Sequence, residues 1–340
     1  MSLNRDDNRF DILRLVAAWL VLFSHCYPLG GRPQSEPLAS TLGIDTLGGV
    51  GVAIFFVLSG YLVTISLERS PSLREFARRR ALRIYPGLVA ICLLCVLVLG
   101  PLLTTLPQAV YWRHSMTWDY LKTASAWLVK YPLPGVFADN PAPHAINGSL
   151  WSLPYEIRCY IVLALVSLVP GPLRLKVSLV AAGLTVLLLV RPLVPPATPF
   201  DKFLGLDYYH TKLGLLFALG AVFACWRERI RPLLWPAAIA LVAAYFVGHG
   251  VWQPLLYVLG LGTLTLWLAL YGKWLPRIPQ RMGDWSYGAY LYGFPVQQVL
   301  AYFKLHEASF IGYVLGCTAA TFALAGLSWH LVEKQALRWK

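Results

Sequence analysis

The sequence predicts an all-α, polytopic membrane protein: one helical bundle of about ten transmembrane helices, with both termini in the cytoplasm. Three observations lead there. Of 340 residues, 57% are hydrophobic and only 13% are charged, a balance foreign to soluble globular domains. The apolar residues gather into segments of about 20, the length at which a helix crosses a hydrocarbon core of roughly 30 Å, without the alternation of a barrel strand. The basic residues, finally, sort by side.

The expected spans cover about 10–28, 47–67, 84–104, 151–169, 175–191, 209–226, 233–248, 252–271, 286–303 and 309–330. Placing the N-terminus inside puts nineteen Lys and Arg residues on the cytoplasmic side, Arg5, Arg281 and Lys340 among them. Eight fall on the outer side, including Arg191 and Lys202. That excess sets the orientation by the positive-inside rule. The net charge of +13 is thereby largely explained by topology, and no nucleic-acid partner is needed. Arg14 interrupts the first apolar run and no small-residue cleavage site follows, so the first segment is expected to be a retained span. Six cysteines lie in or beside apolar segments and read as small hydrophobes; Cys92 and Cys95 form a CxxC without a partner pair, so neither a disulfide nor a metal site is expected.

Taken in order, the first span, FDILRLVAAWLVLFSHCYP, places Arg14 and His25 eleven residues apart. On a helix they share a face and are separated by roughly 16 Å along the axis. Ionisable groups inside a span face a cavity or the bundle interior and mark a site; the competing reading has Arg14 and His25 at opposite membrane interfaces. In the second span, GGVGVAIFFVLSGYL supplies the small residues of close helix packing, and that reading is preferred to a catalytic Ser59, which lacks a GxSxG setting. FARRRALRIYP follows, with Arg78, Arg79, Arg80 and Arg83 just inside the membrane. Arginine forks suit phosphate, so an anionic cytoplasmic ligand and anionic lipid headgroups both fit this cluster.

The long segment from about 105 to 150 is expected outside, where its Trp and Tyr residues cover an outward-facing site or form an interfacial belt. Asn147-Gly148-Ser149 matches a glycosylation sequon, a pattern short enough to arise by chance. SLWSLPYEIRCYIVL then sets Glu156 near the outer end of the fourth span, at a depth similar to that of His25. A carboxylate beside an imidazole orients it and raises its basicity, as general-base catalysis requires. The alternative pairs Glu156 with Arg158. GDWSYGAYLYGFP opens the ninth span with Pro295 in mid-helix, which frees a backbone carbonyl. The chain closes on SWHLVEKQALRW.

Together these motifs resemble the acyltransferase-3 family of integral membrane acyltransferases that modify bacterial surface carbohydrates. The resemblance covers nearly the whole chain. It rests on Arg14 with His25, FFVLSGYL, ARRRALRIYP, SLWSLPYE, SYGAYLYGFP and SWHLVEK, in that order. It implies a single membrane-embedded domain over 1–340 and, in the family, an essential Arg and His, carried here onto Arg14 and His25. Two departures are expected to matter: no fused extracytoplasmic hydrolase-like domain, and Tyr292-Gly293-Phe294 where a Trp/His-rich sequence usually precedes the proline.

The resemblance therefore implies a multi-pass enzyme of the bacterial inner membrane. It would move an acyl group, most simply acetyl, from cytoplasmic acyl-CoA to a hydroxyl of a surface or lipid-linked saccharide, without a metal. Arg78, Arg79, Arg80, Arg83 and Arg14 would contact the donor, and His25 would act as base or acyl carrier with Glu156 tuning it. A transporter or flippase is the rival class, since charged stripes and broken helices also describe carriers. The acceptor and the oligomeric state are not legible in the sequence.

Overall fold

A computed structural model describes residues 9–41, 43–190, 207–248, 250–279 and 282–339. Among these residues the chain is helical and contains no strand. The helices of thirteen residues or more are α1 Phe10–Leu29, α2 Leu47–Glu68, α3 Leu73–Leu94, α4 Leu153–Leu168, α5 Leu173–Val190, α6 Tyr208–Cys225, α7 Leu234–Phe246, α8 Trp252–Tyr271, α9 Ser286–Tyr302 and α10 Phe310–Ser328. Eight of the ten expected spans coincide with helices long and apolar enough to cross a membrane. The other two, α7 and α9, have 13 and 17 residues. Backbone at positive φ follows each, at Gly248 and Lys304, and ends it early. Arg5, Arg191, Lys202, Arg281 and Lys340 lie outside the described residues.

The third span begins eleven residues before its expected start, because the arginine cluster is itself helical. Ala and Arg are good helix formers. Ser72 caps this end, its Oγ accepting the Glu75 N–H at 3.2 Å, with Ser and Glu spaced as in a capping box.

The chain divides into two compact units, one formed by Met1–Arg14, Val52–Phe76 and Tyr155–Ile278, the other by Leu15–Gly51, Ala77–Pro154 and Pro279–Lys340. In the first, α5 packs on α6 and α7 on α8. Two glycines bring α2 and α6 together: a Cβ on Gly60 would stand 2.0 Å from the Phe217 carbonyl oxygen, and one on Gly220 would stand 2.2 Å from that of Val57. The close packing expected of this stretch is thus present, and no side chain larger than hydrogen fits at either contact. The buried Arg9 closes α8 by donating to the carbonyls of Gly272 at 3.3 Å and Lys273 at 3.0 Å, where a cation complements the helix dipole. Helix α5 is 11% buried over its most apolar window, with Leu175, Leu179, Val186 and Val190 exposed.

In the second unit α9 packs on α10. Gly51 lets α2 approach α1, since a Cβ there would lie 2.5 Å from the Ala17 carbonyl oxygen. The buried Glu36 carboxylate accepts the Ser24 hydroxyl at 2.9 Å and the backbone N–H groups of Leu47 at 2.7 Å and Ala39 at 2.8 Å. One side chain thus ties α1 to the start of α2.

Helix α3 continues through a π-turn, Cys95–Leu99, into Gly100–Leu103. Within the π-turn the Gly100 N–H reaches the Cys95 carbonyl, so the next carbonyl, that of Val96, faces Pro101, which has no N–H to offer. The Tyr111 hydroxyl donates to it instead, at 2.8 Å. That phenol occupies the space of the missing Gly100 side chain, 1.8 Å from where a Cβ would stand. Burial pushes the Tyr111 phenol up to about 12, so it remains a donor at neutral pH.

The 105–150 segment is less irregular than a loop. It holds the short helices Gln108–Arg113 and Ser115–Asp119 and buries Tyr111, Tyr120, Phe137 and Ile146. All six cysteines are free, four of them buried. Among the described residues, no group of three or more His, Cys, Asp or Glu side chains is placed to hold a metal ion.

Candidate active site

Pro295 is where the second unit's polar chemistry begins. It lies inside α9, has no N–H, and so deprives the Leu291 carbonyl four residues earlier of its helical donor. The fully buried Asn147 fills that vacancy, its Nδ2 donating to the Leu291 carbonyl at 2.8 Å. Asn147 opens the short 3-10 turn Gly148–Ser152 that leads into α4, so this bond fixes the turn against α9. Two further contacts hold it. The Tyr290 hydroxyl donates to the Ser149 carbonyl at 2.6 Å and lies 3.2 Å from the Ser152 hydroxyl. Phe294 lies so close that a Cβ on Gly148 would stand 2.5 Å from its ring.

His25 faces this turn. Its Nδ1 is 3.4 Å from the Ser149 Oγ, and its ring meets Phe294 edge-on, with centroids 5.5 Å apart at 78°. The ring is half-buried, whereas the Ser149 side chain is buried. The Asn147 sequon is therefore a structural element, its amide shut inside the protein.

Glu156 belongs to the first unit. Ser59 donates to its Oε1 at 2.9 Å, Tyr160 donates to the same oxygen, and the two hydroxyls are 3.1 Å apart. Two donors on one oxygen fix the carboxylate's rotamer. Arg158, the alternative partner weighed for Glu156, reaches His210 Nε2. His210 Nδ1 in turn lies 2.7 Å from Asp207, the residue that caps α6, and its ring sits 4.1 Å from that of Tyr155.

Arg14 and His25 both lie on α1, which runs unbroken between them. Arg14 falls in the first unit and His25 in the second. Two of the inner arginines bond within the second unit. Arg83 pairs with Asp284, whose Oδ1 also accepts the Ser286 N–H at 3.1 Å, and stands 5.7 Å from the Tyr287 ring centroid. The Tyr287 hydroxyl donates to the Ile84 carbonyl at 2.7 Å. Arg78 donates to the Trp339 carbonyl at 3.1 Å, and Arg79 and Arg80 are half-buried on the same helix.

The structure thus joins His25 with Ser149 and Phe294, and Glu156 with Ser59 and Tyr160. The two residues paired in the sequence reading, His25 and Glu156, belong one to each unit. Ser149, Asn147, Tyr160 and Asp284 were missed as site residues, and Ser59 was assigned to packing alone. The signal for Asn147 was present in Pro295, whose freed carbonyl needs a donor, but nothing in the sequence names which amide supplies it.

A multi-pass helical membrane protein, with a histidine cradled by a serine turn and a carboxylate held by two hydroxyls, has the parts of a group-transfer enzyme. The chain belongs to the acyltransferase-3 family: the family's acyltransferase domain matches residues 7–330. It is 33% identical to the O-acetyl transferase of Shigella phage Sf6, over 97% of this chain and 96% of that protein. It is 30% identical to nodulation protein 10 of Rhizobium leguminosarum bv. viciae, over 97% and 93% respectively. Acyltransferase MdmB of Streptomyces mycarofaciens is 29% identical over 71% of this chain and 57% of its own length. No solved structure matches. The chain is accordingly an acyl-transferring membrane enzyme.

Proposed function

We propose that this protein is an O-acyltransferase of the bacterial inner membrane, transferring an acyl group, acetyl first, from cytoplasmic acyl-CoA to a hydroxyl of a surface or lipid-linked saccharide. The observation that supports the chemistry is the cradle of His25: Nδ1 is turned toward the buried Ser149 hydroxyl, which leaves Nε2 for the reacting groups. The whole-length relative named as an O-acetyl transferase supports the choice of a hydroxyl acceptor. Family membership removes the ground for the transporter reading.

In this reading both termini are cytoplasmic, the 105–150 segment faces outward, and 1–340 acts as a single catalytic domain. Acyl-CoA supplies the thioester and its leaving thiolate. His25 Nε2 takes the acceptor hydroxyl's proton as that oxygen attacks the thioester carbonyl carbon. The C–S bond then breaks, and the imidazolium returns its proton to the departing sulfur. Arg14 contacts the donor, and the Glu156 carboxylate, fixed by Ser59 and Tyr160, is the second acid–base group of the proposal. Arg78, Arg79, Arg80 and Arg83 hold the phosphates of the donor, on a helix that Arg78 also ties to the Trp339 carbonyl and Arg83 to Asp284.

The test is His25→Ala, assayed with radiolabelled acetyl-CoA and candidate glycans in membranes. The variant should insert at wild-type level and lose at least about 100-fold in transfer, the scale of general-base catalysis. Near wild-type transfer by this variant would falsify the assignment.

A further inference from the structure

We infer that Ser149 is a positioning residue that sets the tautomer of His25. This inference rests on the proposed role of His25 as base. The geometry is confined to one unit. Ser149 Oγ stands 3.4 Å from His25 Nδ1, and its side chain is buried at 3% exposure, poorly placed to meet a substrate itself. A base acting through Nε2 needs its lone pair there, and therefore its proton on Nδ1. The Ser149 hydroxyl oxygen accepts that Nδ1–H and holds the tautomer and the ring plane together.

The surroundings are built to keep this oxygen in place. Asn147 is fixed on the carbonyl that Pro295 leaves open, Tyr290 holds the Ser149 carbonyl at 2.6 Å, and Phe294 packs against both the Gly148 position and the His25 ring. A turn fixed at 147, 148 and 149 leaves the hydroxyl little choice of position. Two residues of α9, Tyr290 and Pro295, thus reach His25 through a turn outside α9, and Phe294 touches its ring directly. This gives the SYGAYLYGFP motif a role in catalysis that does not depend on touching the acceptor.

The experiment compares Ser149→Ala, Ser149→Thr and His25→Ala in the full-length protein in native membranes, with acetyl-CoA as donor and an acceptor glycan on which the wild type is active. Ser149→Ala should lower kcat by about 10-fold to 100-fold with KM for acetyl-CoA little changed, the scale on which an orienting partner acts. Ser149→Thr, which keeps the hydroxyl, should recover most of that loss. The 15N shifts of His25 in selectively labelled protein should show Nδ1 protonated in the wild type and a tautomer mixture in Ser149→Ala. Wild-type kcat in Ser149→Ala, with His25→Ala inactive, would overturn the inference and spare the base assignment. An active His25→Ala would defeat both. An acyl adduct on Ser149 in the intact-mass spectrum would replace positioning by a covalent role.

Discussion

Asn147→Ala tests the bond between Asn147 and the carbonyl freed by Pro295. In the wild type this substitution leaves the Leu291 carbonyl buried without a donor, a loss of about 1–3 kcal/mol. The Asn147 Oδ1 already has no hydrogen-bond partner, so truncation also removes one unsatisfied acceptor, which places the expected cost in the lower half of that range. Taking about 2.1 cal/mol/K per residue over the 340 residues, the unfolding entropy near the midpoint is about 0.7 kcal/mol/K, so the midpoint should fall by roughly 1–3 °C. In a Pro295→Ala background, residue 295 again carries an N–H for Leu291, and the same Asn147→Ala change should cost about 0.5 kcal/mol or less. The coupling between the two sites should therefore be about 1 kcal/mol. Thermal scans in detergent with a thiol-reactive dye read this directly, since four of the six free cysteines are buried and become reactive on unfolding. Equal shifts in both backgrounds would refute the reasoning, because they would mean that Asn147 acts independently of the proline.

Three other outcomes are expected. Glu36→Ala strips three donors of their acceptor, the Ser24 hydroxyl and the Leu47 and Ala39 N–H groups, and should destabilise by about 3–5 kcal/mol, read as loss of monodisperse protein on gel filtration after mild heating. Gly60→Ala puts a Cβ against the Phe217 carbonyl and should abolish folded protein, whereas Gly183→Ala, which meets nothing within 4 Å on α5, should be neutral or stabilise by up to about 1 kcal/mol; similar yields from the two would contradict the packing described. Tyr160→Phe removes one of the two donors on Glu156 Oε1 and should lower acyl transfer about 10-fold at unchanged expression, with Ser59→Ala showing a loss of similar size; full activity in both would show that the hydroxyl pair is dispensable.

Span positions were largely legible because hydrocarbon imposes a length and a composition that nothing else in a chain imitates. The exceptions follow from local chemistry that hydropathy does not weigh. Arg78, Arg79, Arg80 and Arg83 belong to α3 because a capped, Arg- and Ala-rich segment is helical whether or not it is apolar. Helix α7 stops where Gly248 takes positive φ. Candidate site residues stood out in the sequence where a charge broke an apolar background, as Arg14, His25 and Glu156 do. Ser149, Asn147 and Tyr160 carry no such contrast, and each acquires meaning only from a partner 124 or 144 positions away or, for Tyr160, one turn back. Reading Ser59 as a packing residue captured its neighbour Gly60 and missed its own hydroxyl.

Helix α5 obeys a different rule from the rest of its unit. Leu175, Leu179, Val186 and Val190 are 42–72% exposed, so much of their surface answers to the fluid in which the protein dissolves. Exchange among aliphatic residues is nearly free along this stripe, while one lysine at mid-depth costs about 2.5–3.5 kcal/mol. The segment can drift widely in sequence while its oil-like character stays fixed, and it is a natural place to attach a lipophilic probe without disturbing catalysis.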